Sequence, residues 1–191
     1  MMHANTGGRL TSSLLALLLV LALLLSFSAT ASAQTSYPNR TSEATCLNSQ
    51  EKQFLTLINN YRASKGLKAL KASKSLNIAS YTHSFDLVER RYFAHDTKSP
   101  LPAGQTGAKF THRMSDAGYK FNTYKGENIA AGQSTAQSVF NSWKGSSGHN
   151  ANMLNTRYTV IGIGLATVSG SPYTNYWTTD FGGYADAAST C

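Results

Sequence analysis

The chain has 191 residues, with 17 Lys and Arg against 9 Asp and Glu, for a formal charge of +8. Such a balance favours acidic surfaces, for example cell-wall polymers or anionic lipid. The cations are scattered, with no run longer than Arg90–Arg91, and no basic stripe interleaved with aromatics marks a nucleic-acid binder. Nucleic acid is therefore not an expected partner.

Residues 14–25 read LLALLLVLALLL, with Arg9 ahead of them and ATASAQ behind. Twelve apolar residues are too few to span a bilayer. Ala31 and Ala33 form the small-x-small pattern of a cleavage site, so residues 1–33 read as a secretory signal peptide. Residues 34–46 are polar and turn-rich and read as a flexible leader. Residues 47–191 then form one folded domain, long enough for its own core. No later stretch reaches membrane length, so the mature chain is expected to be secreted, extracellular, monomeric and without a membrane span. In that compartment Cys46 and Cys191, at the two ends of the domain, are expected to pair as a clasp.

From Leu47 the apolar period is helical. Phe54, Leu57, Ile58 and Tyr61 recur every three or four residues, and Gly66 closes the segment. A second helix begins after Ser73, with Leu76, Ala79, His83 and Leu87 on one stripe. Pro100, Pro102, Gly104 and Gly107 mark a loop. A third helix is predicted over 107–117, ended by Gly118. GENIAAG at 126–132 is short and β-like. Ser134 or Thr135 caps a helix carrying Ala136, Val139, Phe140 and Trp143. After SSGHNANM the period falls to two. Tyr158 to Val168 suit a strand in which Gly162 and Gly164 allow close packing, and a turn at SGSP leads into the strand TNYWTTDFGGY. Helices first and strands last give an α+β fold with a mainly antiparallel sheet between helices.

Three ionisable residues stand in unusual contexts: His95 in YFAHDT, Glu127 in GENIAAG and His149 in SSGHNANM. Their long spacings match no compact metal motif. Spacing alone leaves a shared site and unconnected capping residues both open. Asp96 and Ser146 are secondary candidates, and Ser146, His149 and Glu127 could be imagined as a hydrolytic triad. Asn128 is expected to fix a turn through its amide. His83 and His112 read as packing or surface residues. Tyr158, Tyr173, Tyr176 and Trp177 read as core or sheet-face residues.

YFAHDT, GENIAAG, W…SSGHNANMLN and YTVIGIGLA…NYWTTDFG occur in this order. Together they resemble the CAP superfamily of cysteine-rich secretory proteins, antigen 5 and pathogenesis-related 1 proteins. The likeness covers roughly residues 50–183 and is to the bacterial, secreted, single-domain branch. It implies a three-layer α-β-α sandwich with a central cavity, in which His95, Glu127 and His149 match the family's two histidines and its glutamate. A further family glutamate, three residues after the tryptophan, is replaced here by Ser146. The resemblance implies a secreted binding module for a small apolar ligand, a lipid or sterol, or for a cell-wall or cell-surface component. The alternative is a secreted protease working through the His95–Glu127–His149 cavity. No cofactor is obligatory in either reading. Zn²⁺ on His95 and His149 is the metal that two imidazoles suit.

Overall fold

The structure is a computed structural model that describes residues 1–3 and 45–189. The apolar run at 14–25, residues 34–44 of the leader and Cys191 lie outside the described residues. In chain order the elements are α1 (Ser49–Ser64), β1 (Lys71–Ala72), α2 (Lys74–Glu89), α3 (Phe110–Asp116), β2 (Lys125–Ala131), α4 (Ala136–Gly145), α5 (Ser147–Met153), β3 (Val160–Thr167) and β4 (Asn175–Gly182). The sheet runs β1-β3-β4-β2. Only the β1–β3 pair is parallel; β2–β4 and β3–β4 are antiparallel. Helices α2 and α3 cover one face, and α1, α4 and α5 the other. The three-layer α+β sandwich is thus the observed fold.

Helix α1 starts at a capping box: Glu51 N–H donates to Asn48 Oδ1 at 3.0 Å, and Asn48 N–H to Glu51 Oε2 at 2.8 Å, which satisfies two otherwise orphaned donors. Its inner face sends Phe54 and Ile58 into a core with Val139, Phe140 and Trp143 of α4 and Ile161, Ile163, Trp177 and Phe181 of the sheet. Phe54 meets Trp143 edge-on at 5.3 Å, a favoured aromatic geometry. Arg62 is buried on the same helix. Its guanidinium donates to the carbonyls of Lys68, Met153 and Asn155 at 2.9–3.1 Å, which fastens α1 to the end of α5.

The other face is built differently. A Cβ on Gly162 would lie 2.1 Å from the Leu76 backbone, and one on Gly164 2.3 Å from the Tyr81 backbone. Helix α2 therefore rests on bare β3 backbone. The face it presents is largely polar. Ser84 Oγ donates to Gly164 O at 2.9 Å, and Asn77 Oδ1 accepts from Ile163 N at 3.1 Å. Strand β1 reaches only Val160 and Ile161 of β3, so the rest of that edge needs partners. Asn77 supplies one. Glu51 supplies another, since its Oε1 accepts from Leu165 N at 2.7 Å.

Several expectations shift. The third helix starts at Phe110, not 107, because the Ala108 carbonyl is taken by Thr97 N–H and Arg113 Nη1 and cannot begin a helical ladder. GENIAAG is an edge strand paired along its length with β4. The β3–β4 connection spans residues 168–174, with Thr174 at φ 61° and Gly170 at φ 80°, longer than a turn at SGSP. The two-residue β1 carries too little periodicity to be read in sequence. SSGHNANM, to which the apolar period assigns no element, holds the short helix α5, with His149 inside it.

Two measurements test this frame. Gly164→Ala should cost about 3 kcal/mol in urea unfolding, because backbone rather than a flexible side chain blocks the new methyl. Burial raises the Glu51 carboxyl to about 7, although the N–H groups of Asn48 and Leu165 pull it back in part. Between its ordinary value of 4.5 and about 7, the folded state binds more protons than the unfolded one. Stability should therefore fall as pH rises through that window, by at most about 3 kcal/mol. Glu51→Gln should flatten the slope between pH 4.5 and 7 in denaturation midpoints.

Candidate functional site

Glu127 lies in β2, directly opposite Asp180 of β4. Its side chain turns toward the α2–α3 layer. There Oε1 meets His95 Nδ1 at 2.8 Å and Oε2 meets Arg113 Nη2 at 2.5 Å. The carboxylate and guanidinium are almost wholly buried, whereas about half of the His95 side chain is exposed (53%). A carboxylate accepts, so His95 Nδ1 donates and its Nε2 is left to face outward.

Three tethers hold the His95 loop. His83 Nε2–H donates to Ala94 O at 3.0 Å. Arg113 Nη1 donates to Thr97 Oγ1 at 3.1 Å. Tyr92 O–H donates to Asp86, whose carboxylate also takes the Arg90 guanidinium at 2.6 and 2.7 Å. Arg90 in turn donates to Pro100 O at 2.6 Å. The loop is thus pinned on both sides of His95.

His149 arrives from the other layer. Its Nδ1 lies 3.0 Å from Ser146 Oγ, and its ring packs on Trp143 with centroids 6.2 Å apart. Asn128 anchors this helix to β2: its Nδ2 donates to His149 O at 3.1 Å, and its Oδ1 accepts from Asn152 at 2.8 Å. Asn152 also donates to Glu127 O at 3.1 Å. Asn128 therefore clamps α5 against a strand and does not fix a turn. His95 and His149 are close enough for charge on one to bear on the other.

The electrostatics follow from this geometry. Burial pushes Glu127 up, but the His95 hydrogen bond, the charges of His83 and Arg113 and the Arg113 hydrogen bond outweigh it and leave the carboxyl below its ordinary value. Burial drives His83 down to about 4, so at neutral pH its charge is absent and Arg113 is the fixed cation. His95 is raised, chiefly by its hydrogen bond to Glu127 and against burial. His149 is lowered, by burial first and the His95 charge second. Burial and the neighbouring Glu127 raise Asp180 well above the carboxylate range, against Arg113 and its Ser80 hydrogen bond.

Sequence reasoning selected His95, Glu127 and His149, and the structure joins the first two directly. The imagined Ser146–His149–Glu127 triad does not form: Ser146 meets His149, but Glu127 is bonded to His95 and Arg113. Asp96 is exposed and acts on His95 only through its charge. Arg113, His83 and Asp180 were not singled out. Arg113 sits at an apolar-face position beside the wholly buried Met114, and a cation there is the signal that could have found it. Among the described residues, no group of three or more His, Cys, Asp or Glu could hold a metal ion. Both Glu127 oxygens are committed, so the trio offers a cation two imidazoles.

The sequence profile of the cysteine-rich secretory protein family, CAP, matches residues 55–181. The chain belongs to that family. It is 36% identical over 134 residues to the uncharacterized protein YkwD of Bacillus subtilis, a match covering 70% of this chain and 49% of YkwD. Against the uncharacterized membrane protein YlbC of the same organism it is 30% identical over 115 residues, covering 60% of this chain and 31% of YlbC. The chain thus spans half or less of the length of these curated relatives. Among solved structures it resembles an extracellular protein containing a SCP domain from Bacillus anthracis, with TM-score 0.57, 27% identity and coverage of 68% of this chain and 39% of that one. An outer surface protein of Borrelia burgdorferi shares the fold, with TM-score 0.59, 21% identity and coverage of 71% and 95%. No helix among the described residues is long and apolar enough to cross a membrane.

The Glu127–His95 pair sets a pH window. Its stabilisation is complete between the ordinary values of Glu127 at 4.5 and His95 at 6.5. It fades in acid as Glu127 protonates through its lowered value, and in alkali as His95 loses its proton through its raised one. Glu127→Gln should move the His95 titration down, read by imidazole NMR in a variant whose amide spectrum shows it folded. An unshifted His95 would mean that Glu127 does not set it.

Proposed function

We propose that this CAP protein is a secreted binding module whose His95–Glu127–His149 site holds the polar end of a ligand rather than hydrolysing one. The observation that carries the reading is the state of Glu127. Its carboxylate is buried, and His95 and Arg113 each occupy one of its oxygens. A general base needs a lone pair within reach of the proton it removes. Ser146 and His149 touch, but among the described residues no acid is bonded to that imidazole, as a hydrolytic triad requires. Zn²⁺ would find two imidazoles where catalytic zinc normally takes three protein ligands, so the cation would bind weakly and serve no fixed role.

The ligand class is small and apolar, a lipid or sterol in type. Phe93 and Tyr173 are exposed, their rings are 6.4 Å apart, and Phe93 lies two residues before His95. An apolar body on these rings with its polar end toward the imidazoles fits the distribution. The signal-peptide pattern supports export. The Cys46–Cys191 clasp is supported by the contacts beside it, where Ser189 Oγ donates to Thr45 O at 2.5 Å and Ser73 bridges Ala188.

The purified chain, His95→Ala and His149→Ala should be incubated with peptide and ester substrates, and separately titrated with a fluorescent sterol and a fluorescent fatty acid. Turnover is expected to stay at background in all three, with saturable lipid binding that His95→Ala weakens by about tenfold or less without abolishing it. Turnover in the parent chain that either histidine replacement abolishes would replace this reading with the hydrolase.

A further inference from the structure

A cleft of about 180 Å³ opens behind the site, between α2, α3 and the loop at 103–105. Ile78, Ala79 and Ala117 give it apolar walls, and Gln105, Arg113 and Asp116 give it polar ones. Two of its polar atoms are buried without partners: Arg113 Nε and Gln105 Oε1. Arg113 is only 3% exposed. Its Nη1 bonds Thr97 and Ala108 and its Nη2 bonds Glu127, so Nε is the guanidinium nitrogen left without a partner. A buried donor and a buried acceptor left unmade each cost free energy, and a guest that pairs both recovers it.

The guest must present an acceptor to Arg113 Nε–H, a donor to Gln105 Oε1 and a small apolar group to Ile78, Ala79 and Ala117. A carboxylate has no donor for Gln105, and an amine has no acceptor for Arg113. A secondary amide bearing a methyl group has all three. We infer that this cleft binds an acetamido group, through its carbonyl to Arg113, its N–H to Gln105 and its methyl to the alanine and isoleucine wall. The cleft is preformed, because Thr106 donates to Asp116 through its N–H at 2.9 Å and its Oγ1 at 2.8 Å, which ties the loop to α3. The volume admits the group with part of what it is attached to. Two sources carry this chemistry: an N-acetylated amino sugar and an acetylated peptide end. The cleft inference stands whether or not the His95 face binds a lipid. The two share Arg113, so occupancy is felt at His95 through Glu127.

The test uses amide and imidazole NMR on the purified chain with N-acetylglucosamine, glucosamine and N-acetylalaninamide. At least one acetamido compound is expected to saturate, moving Gln105, Ala117 and the Arg113 Nε–H, with glucosamine at least about tenfold weaker, the factor that one lost hydrogen bond commonly costs. The tighter of the two identifies the source. Gln105→Ala should weaken binding about tenfold on the same ground, and Ala117→Leu should block it while the His95–Glu127 contact persists. Equal affinity for glucosamine, saturation by neither acetamido compound, or unchanged affinity in both folded variants would overturn the proposal.

Discussion

The closeness of α2 to β3 is the constraint on which the rest of the molecule depends. Because Gly162 and Gly164 have no side chains, helix backbone rests on strand backbone. Over the two glycines short polar side chains fill the contact, while Leu76 and Leu87 pack on apolar sheet residues to either side. Ser80, Ser84 and Asn77 each bond a sheet group. Buried polar groups of this kind must be matched one by one, which fixes the register of α2 on the sheet. That register places His83 under Ala94 and so determines where the His95 loop begins.

The Glu127 carboxylate is the second organiser. An isolated buried charge is prohibitively costly, and here it is met by a buried guanidinium on one oxygen and an imidazole on the other. Removing either partner exposes the remaining charge to its desolvation cost, which exceeds the worth of a surface pair. The same carboxylate faces Asp180 directly across the strand pair, and its negative charge adds to burial in raising that carboxyl. One cation, Arg113, bears on the charge of both acids and on the orientation of one histidine.

The two histidines differ for structural reasons. His95 stands half exposed with a carboxylate behind it and gains basicity. His149, half buried on Trp143 and bonded to Ser146, loses it. The two imidazoles therefore differ in basicity because only His95 is bonded to the Glu127 carboxylate. Exposed Phe93 and Tyr173 extend the same face with apolar surface.

The sequence by itself determined the class of fold. Helical periods in residues 47–145 and the period of two after Tyr158 are local properties of side-chain order, and the glycines of VIGIGLA announce a close approach before any partner is known. It also determined His95, Glu127 and His149, because each sits in a motif whose order along the chain resembles the family's. Tertiary structure alone decided what these residues do. Arg113, Asp180 and His83 lie on three separate elements, and nothing in their neighbours marks them as companions of Glu127. Asn128 looked like a turn residue because its amide suits turns. Its place in an edge strand beneath α5 made it a clamp. Contacts between residues far apart in sequence leave no periodic trace. A buried ion pair assembled from different layers becomes visible only when those layers are stacked.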